Sequence, residues 1–163
     1  MTPLSSARAK MTQIHRFPTL VPLAVGLIIF AGTIFVHVLP LGVTISIARR
    51  EKRLGQEGLT FWSDFAIVAL IILFSLVAHL VEIALWAAAF LICGEFHEFG
   101  TAYYHSAVNY TTLGYGDLIM SPKWRLLGPL EAANGIMMFG VSTAMIFTII
   151  LRLTQARFVD LRD

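Results

Sequence analysis

The sequence predicts an all-α membrane protein with three transmembrane helices, and a shorter helix and a glycine-bearing loop between the second and third. Composition is the first reason: the 163 residues are 57% hydrophobic and only 13% charged, whereas a soluble domain carries roughly a quarter charged residues. Mean hydropathy is +0.76, the value of a chain that is mostly buried in lipid or protein. The second reason is distribution: the apolar residues gather in three long runs, each sufficient for a helix across a bilayer core of about 30 Å. The third is length, which allows one domain at most. A formal charge of +2 is too small to argue for a nucleic-acid partner. Cys93 is the single cysteine, so there is no internal disulfide.

Residues 1–16 carry Arg8, Lys10, His15 and Arg16 and read as a polar tail. The first apolar run covers 17–48. Basic residues followed by hydrophobics look like a signal peptide, but the run is too long and lacks a small-residue cleavage site, so it reads as a retained span. Pro18 and Pro22 suit a helix start, and Pro40 is expected to kink or end the helix. At about 32 residues the run is too short for two crossings of about 20 each, so one crossing with a bent tail is expected. Residues 49–61 form a linker, basic through Arg49, Arg50, Lys52 and Arg53 and broken by Gly55 and Gly58.

The second span covers 62–93, with Trp62 at the interface, where tryptophan is common. A polar turn follows over 94–100. Residues 101–111 are too short to cross and read as a helix that enters the membrane and stops halfway. Irregular backbone at that depth is tolerated only where protein buries it or water reaches it. Residues 118–125 lead out, with Pro122, Lys123, Trp124 and Arg125 at the interface. The third span covers 126–151, and 153–163 form a short tail bearing Arg157 and Arg162.

The stretch that organises the chain is Thr111-Thr112-Leu113-Gly114-Tyr115-Gly116-Asp117. Glycine tolerates φ > 0, so alternating glycines let successive carbonyls point the same way. A ribbon of carbonyls replaces the hydration shell of a cation. The stretch resembles the selectivity filter of pore-loop potassium channels, Thr-Val-Gly-Tyr-Gly-Asp, with Leu113 in the valine position. The resemblance implies that the carbonyls of Thr112, Leu113, Gly114 and Tyr115 and the Thr112 hydroxyl bind K+. Gly116 completes the alternation, and Asp117 lies at the outer mouth, where it would concentrate cations. Residues 62–152 become a pore domain: outer helix 62–93, re-entrant pore helix 101–111, filter 112–117 and inner helix 126–151.

One filter per chain implies a homotetrameric pore, because such a pore needs four loops. The implied function is passive, selective potassium conduction across the cell membrane of a small prokaryotic channel, without catalysis, cofactor or nucleic acid. Its partners are then K+, membrane lipid and further copies of itself. The family's filter faces the exterior, which puts 49–61 and the C-terminal tail in the cytoplasm and the N-terminus outside. Arg49, Arg50, Lys52, Arg53, Arg152, Arg157 and Arg162 then lie inside, and Arg8, Lys10, Arg16, Lys123 and Arg125 outside. The positive-inside rule favours this orientation by a narrow margin.

The resemblance extends to Ser106, which matches a pore-helix serine, and to Gly135-Ile136-Met137-Met138-Phe139-Gly140, which matches the family's inner helix. Gly135 falls on a gating-hinge position, with Gly140 as a second such glycine, although small residues also let membrane helices approach closely. Departures accompany it. Tyr104 and His105 stand where many members carry two tryptophans behind the filter tyrosine. Val108 replaces a glutamate that pairs with the mouth aspartate. Glu131, with Asn134, is expected behind the filter, within reach of Arg125. The first span lies outside the resemblance and is expected at the pore's periphery.

His79 and Glu82 lie three apart, so they share a helix face. Buried ionisable groups in a membrane are paired or functional, and the two readings are a structural pair and a proton-sensing or cation site. His37 has no evident partner. A metal or haem enzyme would draw on His37, His79, His97, His105 or Cys93, but beyond His79 and Glu82 no ligand spacing is familiar. A voltage sensor needs basic residues at every third position of a span, and none occurs. About a dozen residues follow Leu151, too few for a ligand-binding domain. A non-conducting auxiliary subunit is the remaining alternative, and an intact Gly114-Tyr115-Gly116 argues against it.

Overall fold

Four helices follow one another: α1 (Leu20–Leu54), α2 (Phe61–Ile92), α3 (Phe99–Tyr110) and α4 (Leu127–Asp160). The computed structural model describes residues 19–54 and 61–160, and no strand occurs among them. Three stretches are long and apolar enough to cross a membrane, namely Leu20–Gly42, Asp64–Ile92 and Leu127–Gln155. With 12 residues, α3 is too short. The expected tail over 1–16, Pro18, and Gly55 and Gly58 of the linker lie outside the described residues.

Two boundaries differ from expectation. Pro40 does not end α1, which runs on through Arg49–Arg53 to Leu54. Proline removes one backbone hydrogen bond, but ending the helix inside a bilayer would strip several more groups of partners. The basic residues that follow are good helix formers once the helix leaves lipid. Likewise α4 continues past the expected 151 to Asp160, so most of the presumed tail is helical. The α2 and α3 bounds differ from expectation by one or two residues, as helix ends ordinarily do. Pro129 sits in the first turn of α4, where a missing N–H costs nothing.

Each long helix turns one stripe inward. On α1 the buried positions are Pro22, Gly26, Thr33, His37 and Pro40; on α4 they include Met138, Ser142, Met145 and Ile149. These spacings of three, four or seven define one helix face. The outer faces carry exposed Leu27, Ile28 and Phe35 on α1, and Ile136, Met137 and Phe147 on α4. Apolar tails of lipid suit such faces, so helix association here rests on close packing and hydrogen bonds.

Helix α2 is the centre, touching α1, α3 and α4. Its Trp86 and Phe90 are fully buried in a core with Ile83, Tyr110, Met120, Trp124, Leu127 and Met138. Helix α1 is built into the bundle, packing on both α2 and α4. At Gly26 a Cβ would lie 2.6 Å from Leu130 Cδ1, so a side chain there would displace the end of Leu130 at the α1–α4 contact.

The turn after α2 fixes the far side of the loop region. Gly94, at φ 75, closes the helix, with Glu95 N–H donating to the Phe90 carbonyl and Gly94 N–H to that of Leu91, a glycine C-terminal motif. The Glu95 carboxylate then accepts both the Ser121 N–H (2.7 Å) and the Ser121 hydroxyl (2.5 Å). That two-point clamp ties the turn to the chain segment that leaves the loop.

Candidate functional site

The 111–117 loop springs directly from the carboxyl end of α3. The last turn of a helix leaves carbonyls without partners, and here the loop supplies them. Leu113 and Gly114 N–H both donate to the Val108 carbonyl, at 2.9 and 3.2 Å, and Thr112 N–H donates to that of Asn109 at 2.8 Å. The Thr111 hydroxyl donates to the Ala107 carbonyl at 2.7 Å. Val108, with its side chain buried, thus serves the loop through its backbone.

Positive φ alternates along the loop: Thr112 at 61°, Gly114 at 58° and Gly116 at 73°, with Leu113 and Tyr115 between them. The two glycines take this conformation freely. Thr112 is β-branched and pays for it, by about 1–3 kcal/mol, so the surrounding hydrogen bonds must hold it there. All seven residues are exposed in the single chain, including large side chains such as Leu113 (55%) and Tyr115 (66%).

The residues expected to support the loop divide into three roles. The Tyr104 hydroxyl donates to the Asp117 carboxylate at 2.9 Å. That bond and the negative charge beside it push the phenol above its ordinary pKa. His105 packs its ring 5.4 Å from that of Phe90 and 4.9 Å from that of Phe96, and it lines a cavity with Thr112 and Gly114 of the loop. Its Nε2 contacts the Asn109 amide nitrogen at 2.8 Å. Burial lowers the imidazole pKa, opposed by the charges of Asp117 and Glu95. Glu131 is fully buried. Its partners are Asn109 and the Ser106 hydroxyl, whose oxygen also lies 2.8 Å from the Ile83 carbonyl; Arg125 does not pair with it.

Gly135 and Gly140 differ in their surroundings. A Cβ on Gly135 would overlap the carbonyl oxygen of Tyr110, so α4 crosses the end of α3 at a distance only glycine permits. Around Gly140 nothing lies within 4 Å of a Cβ position. Gly135 is therefore a packing contact, whatever bending occurs there.

Beneath the loop lies a buried polar cluster that joins all four helices. His79 and Glu82 are close, with Nδ1 3.4 Å from Oε2, but they are two members of a larger set. His37 Nδ1 is 2.9 Å from Glu82 Oε1, and the Tyr110 hydroxyl donates to Glu82 Oε2. His79 Nδ1 lies 3.0 Å from the Tyr110 hydroxyl and its Nε2 3.0 Å from Ser142 Oγ. Ser142 Oγ is also 3.0 Å from His37 Nε2. His37, which has no evident partner in the sequence, is thus bound on both ring nitrogens. The signal that could have found it is its place on the same α1 face as Thr33 and Pro40. Thr33 repeats the pattern one turn away, its hydroxyl 2.7 Å from the Phe30 carbonyl and 3.1 Å from the Asn134 side-chain amide. The ligand atoms of His37, His79 and Glu82 also lie within 4.8 Å of one another, a spacing that a metal ion could bridge.

Residues 67–152 match the sequence model of a family described as ion channel, over more than half of the chain. The chain belongs to the ion channel family. The match covers most of α2, all of α3 and the loop, and α4 to Arg152; α1 lies outside it. No curated protein and no solved structure matches the chain. The protein is therefore a multi-pass membrane ion channel with a family-wide core and a first helix that the family model does not include.

Proposed function

We propose that this ion channel conducts potassium selectively and passively through a pore shared by four copies, with 112–116 as the selectivity filter. The observation that carries the reading is the alternation of positive φ at Thr112, Gly114 and Gly116. Handedness that alternates residue by residue turns successive carbonyls toward one side, and such a column of oxygens can replace a cation's hydration shell. The donors are carbonyls and one hydroxyl, with no thiol or imidazole, a set suited to a hard monovalent ion. Asp117 stands next in the chain and raises the local cation concentration at the outer mouth. Helix α3 enters the membrane from outside and stops midway as a pore helix. The N-terminus is outside and the C-terminus cytoplasmic.

One loop supplies one side of a filter. Four copies around an axis complete it and cover Leu113, Tyr115 and the apolar face of α4. Conduction of this kind needs no catalytic residue and no resident cofactor. Purified protein in planar bilayers, with reversal potentials measured under potassium and sodium gradients, tests the reading. Potassium preference that disappears when Tyr115-Gly116 becomes Ala-Ala is the expected result. A mutant that still assembles and prefers potassium as the wild type does would remove the filter from 112–116. Wild-type protein with no flux would point to a silent auxiliary subunit.

A further inference from the structure

Five buried side chains form a closed ring of contacts in the order Glu82, His37, Ser142, His79, Tyr110 and back to Glu82. Each link needs one proton between its two heavy atoms. An uncharged carboxylic acid, imidazole or hydroxyl can each donate one hydrogen bond and accept one. Five uncharged members therefore supply five protons for five links, all running the same way round. With Glu82 ionised and both imidazoles neutral, only four protons remain and one link fails. With one proton in excess, two donors face each other in one link. An ion pair of carboxylate and imidazolium keeps the proton total but must repay two desolvations. The uncharged ring leaves no charge in the membrane interior, where charge is costly, and no buried partner unmet.

We infer that this ring is an uncharged, unidirectional hydrogen-bond cycle that lets His37 of α1 position Tyr110, the residue from which the conducting loop springs. Tyr110 is fully buried, and its carbonyl rests on Gly135. Its hydroxyl is held by the ring and its backbone by α3, so its two ends fix where Thr111 and Thr112 begin. His37 reaches it through Glu82 on one side and through Ser142 and His79 on the other. The first helix, although outside the family match, thereby becomes part of the conduction machinery. The effect on selectivity rests on the potassium reading above; the protonation state of the ring does not.

Glutamine at position 82 separates the possibilities. Its amide donates from one atom and accepts at the other, so Glu82→Gln preserves an uncharged cycle in one direction. It cannot serve as the anion of an ion pair, nor as the anionic ligand of a metal bridging His37, His79 and Glu82. Full-length wild type, Glu82→Gln, Glu82→Leu and His37→Leu are compared in bilayers for the potassium-to-sodium permeability ratio. Glu82→Gln is expected to keep the ratio within about twofold, while the two leucine variants lose about tenfold or more in selective flux, the scale of a buried group left without its partner. In parallel, nitrogen-15 NMR of histidine-labelled wild type in lipid reads the charge and tautomer of both rings. Two neutral imidazoles are expected. An imidazolium signal from either ring, or a Glu82→Gln protein as damaged as Glu82→Leu, would overturn the uncharged cycle. Selective flux undiminished in His37→Leu would overturn the positioning role. If the leucine variants do not fold, Glu82→Gln and the NMR signals still decide the charge state. If the wild type shows no potassium preference, the NMR result stands and the proposed ion is at fault.

Discussion

Tyr104 and Asp117 are joined across the mouth of the loop by a 2.9 Å hydrogen bond, the phenol donating to the carboxylate. The tyrosine thereby ties the loop's last residue to α3. The raised phenol pKa keeps Tyr104 a donor through the physiological range. Tyr104→Phe is expected to leave thermal stability nearly unchanged, since the hydrogen bond is exposed and water replaces it readily. It should, however, free Asp117 and alter block by external divalent cations. Concentration–block curves check this, and identical curves for mutant and wild type would refute it.

The two α4 glycines should respond oppositely to alanine. Gly135→Ala forces a methyl into the Tyr110 carbonyl, and overpacking of this kind costs about 1–3 kcal/mol. Gly140 has open space around it, and alanine there gains up to about 1 kcal/mol of helix propensity. Thermal melts of detergent-purified protein should therefore move down for Gly135→Ala and stay level or rise for Gly140→Ala. If Gly140 is where α4 bends, Gly140→Ala will lower open probability in the same protein whose melt is unchanged. Equal melts for both variants would contradict the packing of Gly135.

How much of this was legible in the sequence depended on how local each signal is. The three spans, the short helix and the loop could be read because apolar runs and alternating glycines lie within a few residues of one another. Of the two outcomes expected at Pro40, a kink or an end, the helix does not end there, because the cost of losing a helix inside lipid is set by the membrane rather than by the proline. His79 and Glu82 were legible as a pair, being one helix turn apart. His37, Tyr110 and Ser142 were not, because their contacts join positions as much as 105 residues apart. The partners of His105 were not legible either: Phe90 and Phe96 belong to α2 and the turn after it, which the pattern of α3 alone does not show.

Acid should destabilise the region behind the loop through His105. Its folded pKa lies below the ordinary value of 6.5 because burial disfavours the cation. A histidine held neutral in the fold contributes fully above the unfolded pKa. The contribution is lost as pH falls from there toward the lower folded pKa, where the unfolded state binds the extra proton first. The Asn109 amide opposes protonation too, since Nε2 would have to stop accepting from it. Melting temperature should drop between about pH 7.5 and about pH 5 more steeply in wild type than in His105→Gln, which removes this titration. Parallel pH profiles for the two proteins would rule His105 out as the source.

The first helix gives the last prediction. A first span outside the resemblance is expected from sequence to lie at the pore's periphery, so that the remaining pore domain can still assemble without it. Contacts argue otherwise. Removing α1 strips His37 from Glu82 and Ser142, and Thr33 from Asn134. It also uncovers the Leu130 side chain that lies over Gly26. Glu82 keeps Tyr110 and His79 but loses the partner of its Oε1, and Asn134 loses Thr33; both are fully buried, and a buried polar atom left without a partner costs about 1–3 kcal/mol. Two such losses on top of missing packing are comparable with the 5–15 kcal/mol that holds a typical domain together. A chain of residues 55–163 should therefore yield little folded protein, and Glu82→Leu with Asn134→Leu in that shortened chain should recover part of it by removing the unmet groups. Folded yield by size-exclusion chromatography in detergent measures both. A shortened chain as stable as the full one would show that α1 contributes nothing the remaining helices lack.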